Sequence, residues 1–477
     1  MRRGHCRTLP PRIRTIAPRS FPTLQTAIEF TIRTGALLLI IALCHSAAQR
    51  FRLSDSFGLT SAGVLLGAGY LALLHFAPGF AASSVIPLLT PSLPPEAWLW
   101  IFLPPILFEA ALQVDTRGLL ADLAPILLLA IGAVAAAAAG VGLATWISSG
   151  QSLIVCLLLG AIVSTTDPST VIGLFRNSGA PERLIRLIEG ESLLNDAAAI
   201  AIATLLTSAL ALTPSASHTH GHPLAAFLVS LVGGCAFGAL AGALFVTASN
   251  ALRSLPFSEY ALSLALPTLL YPAAERWLDV SGVAAVVCAG LAANRLMRTR
   301  RPAASQALFR QLWAYQAGIA SAAVFLLASA RVPGLVDKLN LRDTLPLALA
   351  LVAAILSRFG ILTIFLPLFS RLGICEPLPR AHQWLIAWGG VRGPVTLTLA
   401  VCVARNDSLS PDTRAFAAAM AAAFVLLNLL CNGLTLGHVA RWLGITQHAS
   451  GERAALQTAV AGKQGRMRYV PRSVRNK

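Results

Sequence analysis

Glu189-Gly190-Glu191-Ser192-Leu193-Leu194-Asn195-Asp196 sets acidic side chains inside a stretch, residues 184–212, that is otherwise apolar enough to cross a membrane. An ionisable group at membrane depth costs about 2.5–3.5 kcal/mol on insertion scales, so it usually lines an ion or substrate path and has a partner. At about 100° per residue, Ser192 and Asp196 share one helix face and Glu191 and Asn195 another, with Glu191 about 140° away from Asp196. A buried Glu off the ion face needs a counter-charge. Arg358, in the apolar run Ala353-Ala354-Ile355-Leu356-Ser357-Arg358-Phe359, is the candidate, and the pair would brace the two spans that carry it.

Composition sets the class. Of 477 residues, 56% are hydrophobic and 12% charged, and the mean hydropathy is +0.70, which describes an all-α polytopic membrane protein. A spanning helix needs about 20 mostly apolar residues. Thirteen stretches qualify: 27–48, 57–78, 97–113, 121–147, 152–176, 184–212, 223–250, 257–278, 280–297, 311–331, 344–370, 381–404 and 413–443. They make one transmembrane domain over 27–445, between a basic N-terminal tail, 1–26, and a short basic tail, 446–477, suited to anionic lipid. The first tail reads as a start assigned too far upstream, or as a processed presequence.

The net charge of +17 does not argue for a nucleic-acid partner, because 34 of the 37 basic residues are Arg and they sit mostly in tails and short loops. With the N-terminus outside and the C-terminus cytoplasmic, the cytoplasmic loops hold fourteen arginines and the opposite loops six basic residues, which favours this topology by the positive-inside rule, although it puts the six arginines of residues 1–26 outside. The eight cysteines show no Cys-x-x-Cys pair and read as small apolar groups, with no disulfide or metal site. His218, His220 and His222 read as a solvated loop, with a metal-binding or pH-sensing loop as the alternative, and Gly234, Gly238 and Gly242 as a close helix contact.

A second informative cluster is Ser164-Thr165-Thr166-Asp167-Pro168, in the middle of the fifth span. Pro168 lacks an N–H, crowds the carbonyl of Ser164 and pushes Asp167 out of the helical region. The carbonyls of Ser164, Thr165 and Thr166 are then expected to be free to face a cation, with Asp167 beside them. Broken backbone at membrane depth is tolerated only inside protein or along a cavity, which is how secondary transporters build ion sites. A kinked packing helix is the alternative.

The twelfth span carries a matching interruption, Trp388-Gly389-Gly390-Val391-Arg392-Gly393-Pro394. Both breaks fall in the middle helix of a three-helix group, spans 4–6 and 11–13. This pattern suggests an inverted repeat whose broken helices cross near the midplane. Arg392 would lie at the break, balancing either exposed carbonyl ends or Asp167. Glu109, after Phe102-Leu103-Pro104-Pro105-Ile106-Leu107-Phe108, is a further deep acid that either gates or coordinates the ion, or else lies at the membrane edge near Asp115 and Arg117.

Together these clusters resemble the cation:proton antiporter family 1, the NhaP-type and sodium/proton exchanger proteins. The likeness rests on 102–109, Thr166-Asp167-Pro168, Pro181-Glu182-Arg183-Leu184, the octet 189–196, Ser281-Gly282-Val283-Ala284-Ala285-Val286-Val287 and Gly389-Gly390-Val391-Arg392-Gly393, in family order over about residues 30–445. It implies a homodimer of thirteen-helix protomers. A core, about 121–212 and 344–443, would move against a dimerisation unit, about 27–113 and 257–331, with 223–250 as the linker span. It also implies alternating access to one cation site. Asp196 would carry the ion or proton, Thr166, Asp167 and Ser192 would help to form the site, Asn195 would steady the crossing helices, and Glu191 would pair with Arg358. Arg392 matches the family's arginine after Gly-Gly. Val391 and Pro394 stand where the family more often has Leu and Ala, and Ser169-Thr170 where it has Val-Ala.

Charge counting gives the expected mechanism. Asp167, Glu191 and Asp196 face Arg358 and Arg392, so one carboxylate is left over. If that is Asp196, it holds either a proton or a metal cation (Na+ or K+, with Asp167 as a further ligand) whenever it is buried. Exchange of one for the other is electroneutral. The expectation is a Na+/H+ antiporter, not an enzyme, with no cofactor and with the lipid bilayer, the cation and the proton as its partners. A K+/H+ antiporter is the alternative within the class, and a cation channel or a non-transporting sensor or scaffold the alternatives outside it. The Arg-rich, Lys-poor, alanine-heavy usage suggests a bacterial inner membrane.

Overall fold

The computed structural model describes residues 24–51, 54–77, 95–178, 180–211, 223–252, 255–300, 303–337, 339–373 and 379–445. The His218–His222 loop, the basic tail 446–477 and nearly all of the N-terminal tail lie outside them. Among the described residues the chain is helical throughout, with one isolated backbone bridge between Asp167 and Val391.

The helices are α1 (Leu24–Phe51), α2 (Asp55–Phe76), α3 (Pro95–Gln113), α4 (Thr116–Ala121), α5 (Leu123–Ser149), α6 (Leu153–Ile162), α7 (Ser169–Ser178), α8 (Glu182–Leu210) and α9 (Pro223–Ala251). They continue with α10 (Pro256–Trp277), α11 (Gly282–Arg300), α12 (Ala303–Ser329), α13 (Val332–Val336), α14 (Thr344–Arg371), α15 (Arg380–Trp388), α16 (Pro394–Ala404), α17 (Pro411–Asn428) and α18 (Leu434–Trp442). A single π-helical turn, Leu429–Gly433, joins the last two.

Each of the thirteen expected stretches coincides with a helix, and those at 152–176, 381–404 and 413–443 with an interrupted one. By length and apolarity alone, eight helical stretches among the described residues can cross a membrane, and Ala97–Gln113, Leu153–Ile162 and Pro394–Ala404 are shorter apolar helices. Helices α10, with Glu259, Glu275 and Arg276, and α11, ending in Arg295, Arg298 and Arg300, are less uniformly apolar.

Large apolar side chains face outward, among them Leu65 at 72% exposure and Val229 at 70%. That exterior suits lipid. Cohesion inside a bilayer therefore comes from close packing and buried hydrogen bonds more than from exclusion of water. The packing uses small residues. A Cβ on Gly238 would stand 2.0 Å from the carbonyl oxygen of Ala285, and one on Gly242 2.5 Å from that of Ala289, so only glycine lets α9 and α11 approach this closely. Gly160 plays the same part between α6 and α5, where a Cβ would meet the Ala138 carbonyl at 2.3 Å.

Helix α5 lies along α6, α8 and α14, and α3 packs against α10, α11 and α12. A second apolar cluster, with Val171, Phe175, Ile188, Leu385 and Leu436, binds the half-helices α7 and α15 to α8 and α18. At one end of the bundle, Arg183 of α8 grips the buried Asp122 through Nη2 at 2.6 Å and Nε at 3.0 Å. Nearby, Arg298 of α11 reaches Asp115 at 3.0 Å. These pairs gather three of the arginine-bearing loops on one side of the bundle.

Candidate functional site

The two interrupted helices cross at their breaks. Helix α6 ends at Ile162 and α7 starts at Ser169, while α15 ends at Trp388 and α16 starts at Pro394. Proline accounts for both restarts, since it lacks a donor and suits a helix's first turn. Between them the Asp167 N–H donates to the Val391 carbonyl at 2.8 Å, so one unwound segment satisfies the other. Gly393 packs against Asp167, and a Cβ there would stand a tight 3.2 Å from the Asp167 Cβ.

Helix ends sort the charges. Asp167 sits just before α7 and against Gly393, the residue capping α16, so it lies beside two helix N-termini, where a negative charge is favoured. Arg392, 4% exposed, sits beyond the C-terminus of α6 and donates from Nη1 to the Ser164 carbonyl at 3.2 Å and the Thr165 carbonyl at 3.1 Å. Its guanidinium also lies over the Phe424 ring, 5.3 Å from the centroid. The expectation that the Ser164, Thr165 and Thr166 carbonyls stand free for a cation needs correction. Arginine covers the first two, and Ser192 Oγ donates to the Thr166 carbonyl at 3.1 Å. Buried carbonyls released from a helix have to find donors, and two side chains supply them here, Arg392 from the other break and Ser192 from α8.

Thr166 is the hub. Its hydroxyl accepts from Asn195 Nδ2 at 3.0 Å and from Arg358 Nη1 at 2.9 Å. Arg358 also pairs with Glu191, Nη2 to Oε1 at 3.0 Å, as the sequence leads one to expect. Asn195 and Ser192 directly, and Glu191 through Arg358, therefore converge on one threonine. Thr165 adds a hydroxyl–hydroxyl contact to Thr396 of α16 at 2.5 Å.

Asp196 differs from the other acids. It lies in the middle of α8, 14 residues before the helix ends at Leu210, so no terminus of its own helix supports it. Among the described residues no arginine pairs with it and no donor is hydrogen bonded to it, while it stands within electrostatic reach of Asp167. Glu109, on α3, accepts from Gln113 Nε2 at 3.1 Å on the same helix and is not drawn into the Thr166 cluster.

Sequence reading missed Asn428 and Asn432. Both are 1% exposed. Asn428 Oδ1 accepts the Arg392 N–H at 3.1 Å, and Asn432 Nδ2 donates to the Trp388 carbonyl at 2.8 Å. Their signal was present as two amides four residues apart in the otherwise apolar run Phe424–Cys431 and its continuation.

Residues 35–442 match the family described as "Sodium/hydrogen exchanger, transmembrane". The Na(+)/H(+) antiporter ApNhaP of Aphanothece halophytica is 34% identical over 370 residues, covering 77% of this chain and 68% of that protein. The low-affinity Na(+)/H(+) antiporter NhaS1 of Synechocystis is 30% identical over 359 residues, covering 74% of this chain and 66% of that one. Among solved structures, the sodium proton antiporter MjNhaP1 from Methanocaldococcus jannaschii at pH 8 superposes with a TM-score of 0.66 over 87% of this chain and 99% of that structure, at 18% identity. That likeness establishes the antiporter fold.

Proposed function

The chain belongs to the sodium/hydrogen exchanger family, and from that premise we propose that it exchanges Na+ for H+ by alternating access, with both ions competing for Asp196. The observation that carries the reading is the sorting of charge at the crossing. Glu191 has Arg358, Arg392 has carbonyl ends, and Asp167 has two helix N-termini. Asp196 has none of these, and a carboxylate closed inside low-dielectric protein without a counter-charge is disfavoured. It crosses the closed state only with a proton or a cation bound.

Asp167, the Thr166 and Ser192 oxygens and Asn195 complete the cation's surroundings in this reading. Oxygen ligands suit Na+ and K+ alike, and the names of the relatives favour sodium. One charge in each direction makes the cycle electroneutral. No resident metal or organic cofactor takes part, and the core spans move against a scaffold that pairs two protomers in a bacterial inner membrane, with the N-terminus outside.

The test is proton movement in proteoliposomes or everted vesicles, followed with a pH-sensitive dye as sodium, lithium or potassium is added, with and without a membrane potential. Cation-dependent pH recovery that ignores the potential and vanishes in Asp196→Asn is expected. Currents without coupling to protons, or recovery retained in that variant, would overturn the proposal.

A further inference from the structure

The π-turn at Leu429–Gly433 lies beside the break of the α15–α16 span, and Asn428, just before it, and Asn432, within it, hold the two lips of that break. Asn432 Nδ2 donates to the carbonyl of Trp388, the last residue of α15, at 2.8 Å. Asn428 Oδ1 accepts the N–H of Arg392, two residues before α16, at 3.1 Å. One turn further on, the Trp388 indole donates to Thr435 Oγ1 at 2.9 Å, and that hydroxyl donates to the Cys431 carbonyl. Single π-turns inside α-helices are frequent at functional sites. The extra residue they take up turns everything after them by about 100° relative to a straight helix. Here that places Thr435 under Trp388 while Asn428, before the turn, faces Arg392.

We infer that Asn428 and Asn432 are positioning residues for cation exchange, a brace on the last span that sets the crossing and, through Arg392, the shape of the Thr166–Asp167 segment. The inference rests on the exchange reading above. The path is short. Asn428 fixes the Arg392 backbone, the Arg392 guanidinium fixes the Ser164 and Thr165 carbonyls, and the next two residues are Thr166 and Asp167. Neither asparagine touches Asp196, so each acts on affinity through geometry rather than by binding the ion.

The two amides use opposite ends, which gives a discriminating test. Asn428 serves as an acceptor, and Asn428→Asp keeps an oxygen at the Arg392 N–H. Asn432 serves as a donor, and Asn432→Asp removes it. Sodium-driven proton movement would be measured in proteoliposomes for the wild type, both Asp variants and both Ala variants. Each Ala variant and Asn432→Asp is expected to raise the half-saturating sodium concentration roughly tenfold, with the maximal rate within about a factor of three. Asn428→Asp is expected to stay near the wild type. Unchanged half-saturation in every variant, or loss of folded protein and maximal rate without a change in half-saturation, would overturn the brace. If the Ala variants fail to fold, the two Asp variants decide, and equal behaviour rejects the inference. If the wild type exchanges no cation, the exchange reading has failed. The brace is then judged by sodium-induced thermal protection, which is expected to be lost in Asn432→Asp but kept in Asn428→Asp and is contradicted if the two agree.

Discussion

Glu191 and Asp196 lie five residues apart on one helix, and the protein treats them in opposite ways. Glu191 is 5% exposed and locked to Arg358, which in turn holds Thr166. Asp196 is only half-buried, has no arginine, and shares its space with Asp167. A charge with a fitted partner braces spans, whereas a charge left without one is, in the proposed mechanism, satisfied by an ion that comes and goes. The same contrast runs between Asp167 and Arg392, whose charges rest on helix ends, and Asp196, which is far from any end of its own helix.

The comparison breaks first at Arg358. Arg358→Ala strands the buried Glu191 and is expected to cost about 3–5 kcal/mol, read as lost folded yield and a lowered thermal midpoint. Adding Glu191→Gln should restore most of it, because the stranded charge is gone. A double variant no more stable than the single one would refute the bracing role. On the other side of the helix, Asp196→Asn should leave folding intact and cut exchange by at least about a hundredfold, roughly 2.7 kcal/mol of lost function. Competition sharpens the contrast further. Where Asp196 is mostly protonated, each unit of falling pH should raise the half-saturating sodium concentration about tenfold without changing the maximal rate. A pH-independent half-saturation would contradict one shared site.

Smaller effects follow with distance from Asp196. Thr166→Val removes the acceptor of Asn195 and Arg358 and should cost about 1–3 kcal/mol in thermal stability while weakening sodium half-saturation. Glu109→Gln should change least, since Gln113 already satisfies that side chain outside the Thr166 cluster. An effect as large as that of Asp196→Asn would put Glu109 in the site.

Local chemistry made much of this legible in the sequence. Pro168 and the Gly389–Pro394 run announce their own breaks, and an acid in an apolar run announces its need for a partner. The Glu191–Arg358 pair could be named because Arg358 stands out in an apolar stretch. The fate of the broken carbonyls was not legible. Arg392 reaches Ser164 from 228 positions away, and Asn432 reaches Trp388 from 44, so only the crossing shows which donor meets which acceptor. The π-turn was equally hidden, because no residue type marks an extra residue within a helix as proline marks a break.

In the proposed mechanism one carboxylate, Asp196, holds either a proton or a cation. The most direct measurement is proton release when sodium is added to purified protein in weak buffer containing a pH dye, at a pH where the site is protonated. The wild type should release about one proton per sodium bound, and Asp196→Asn none. Sodium binding without proton release in the wild type, or equal release in the variant, would contradict the account.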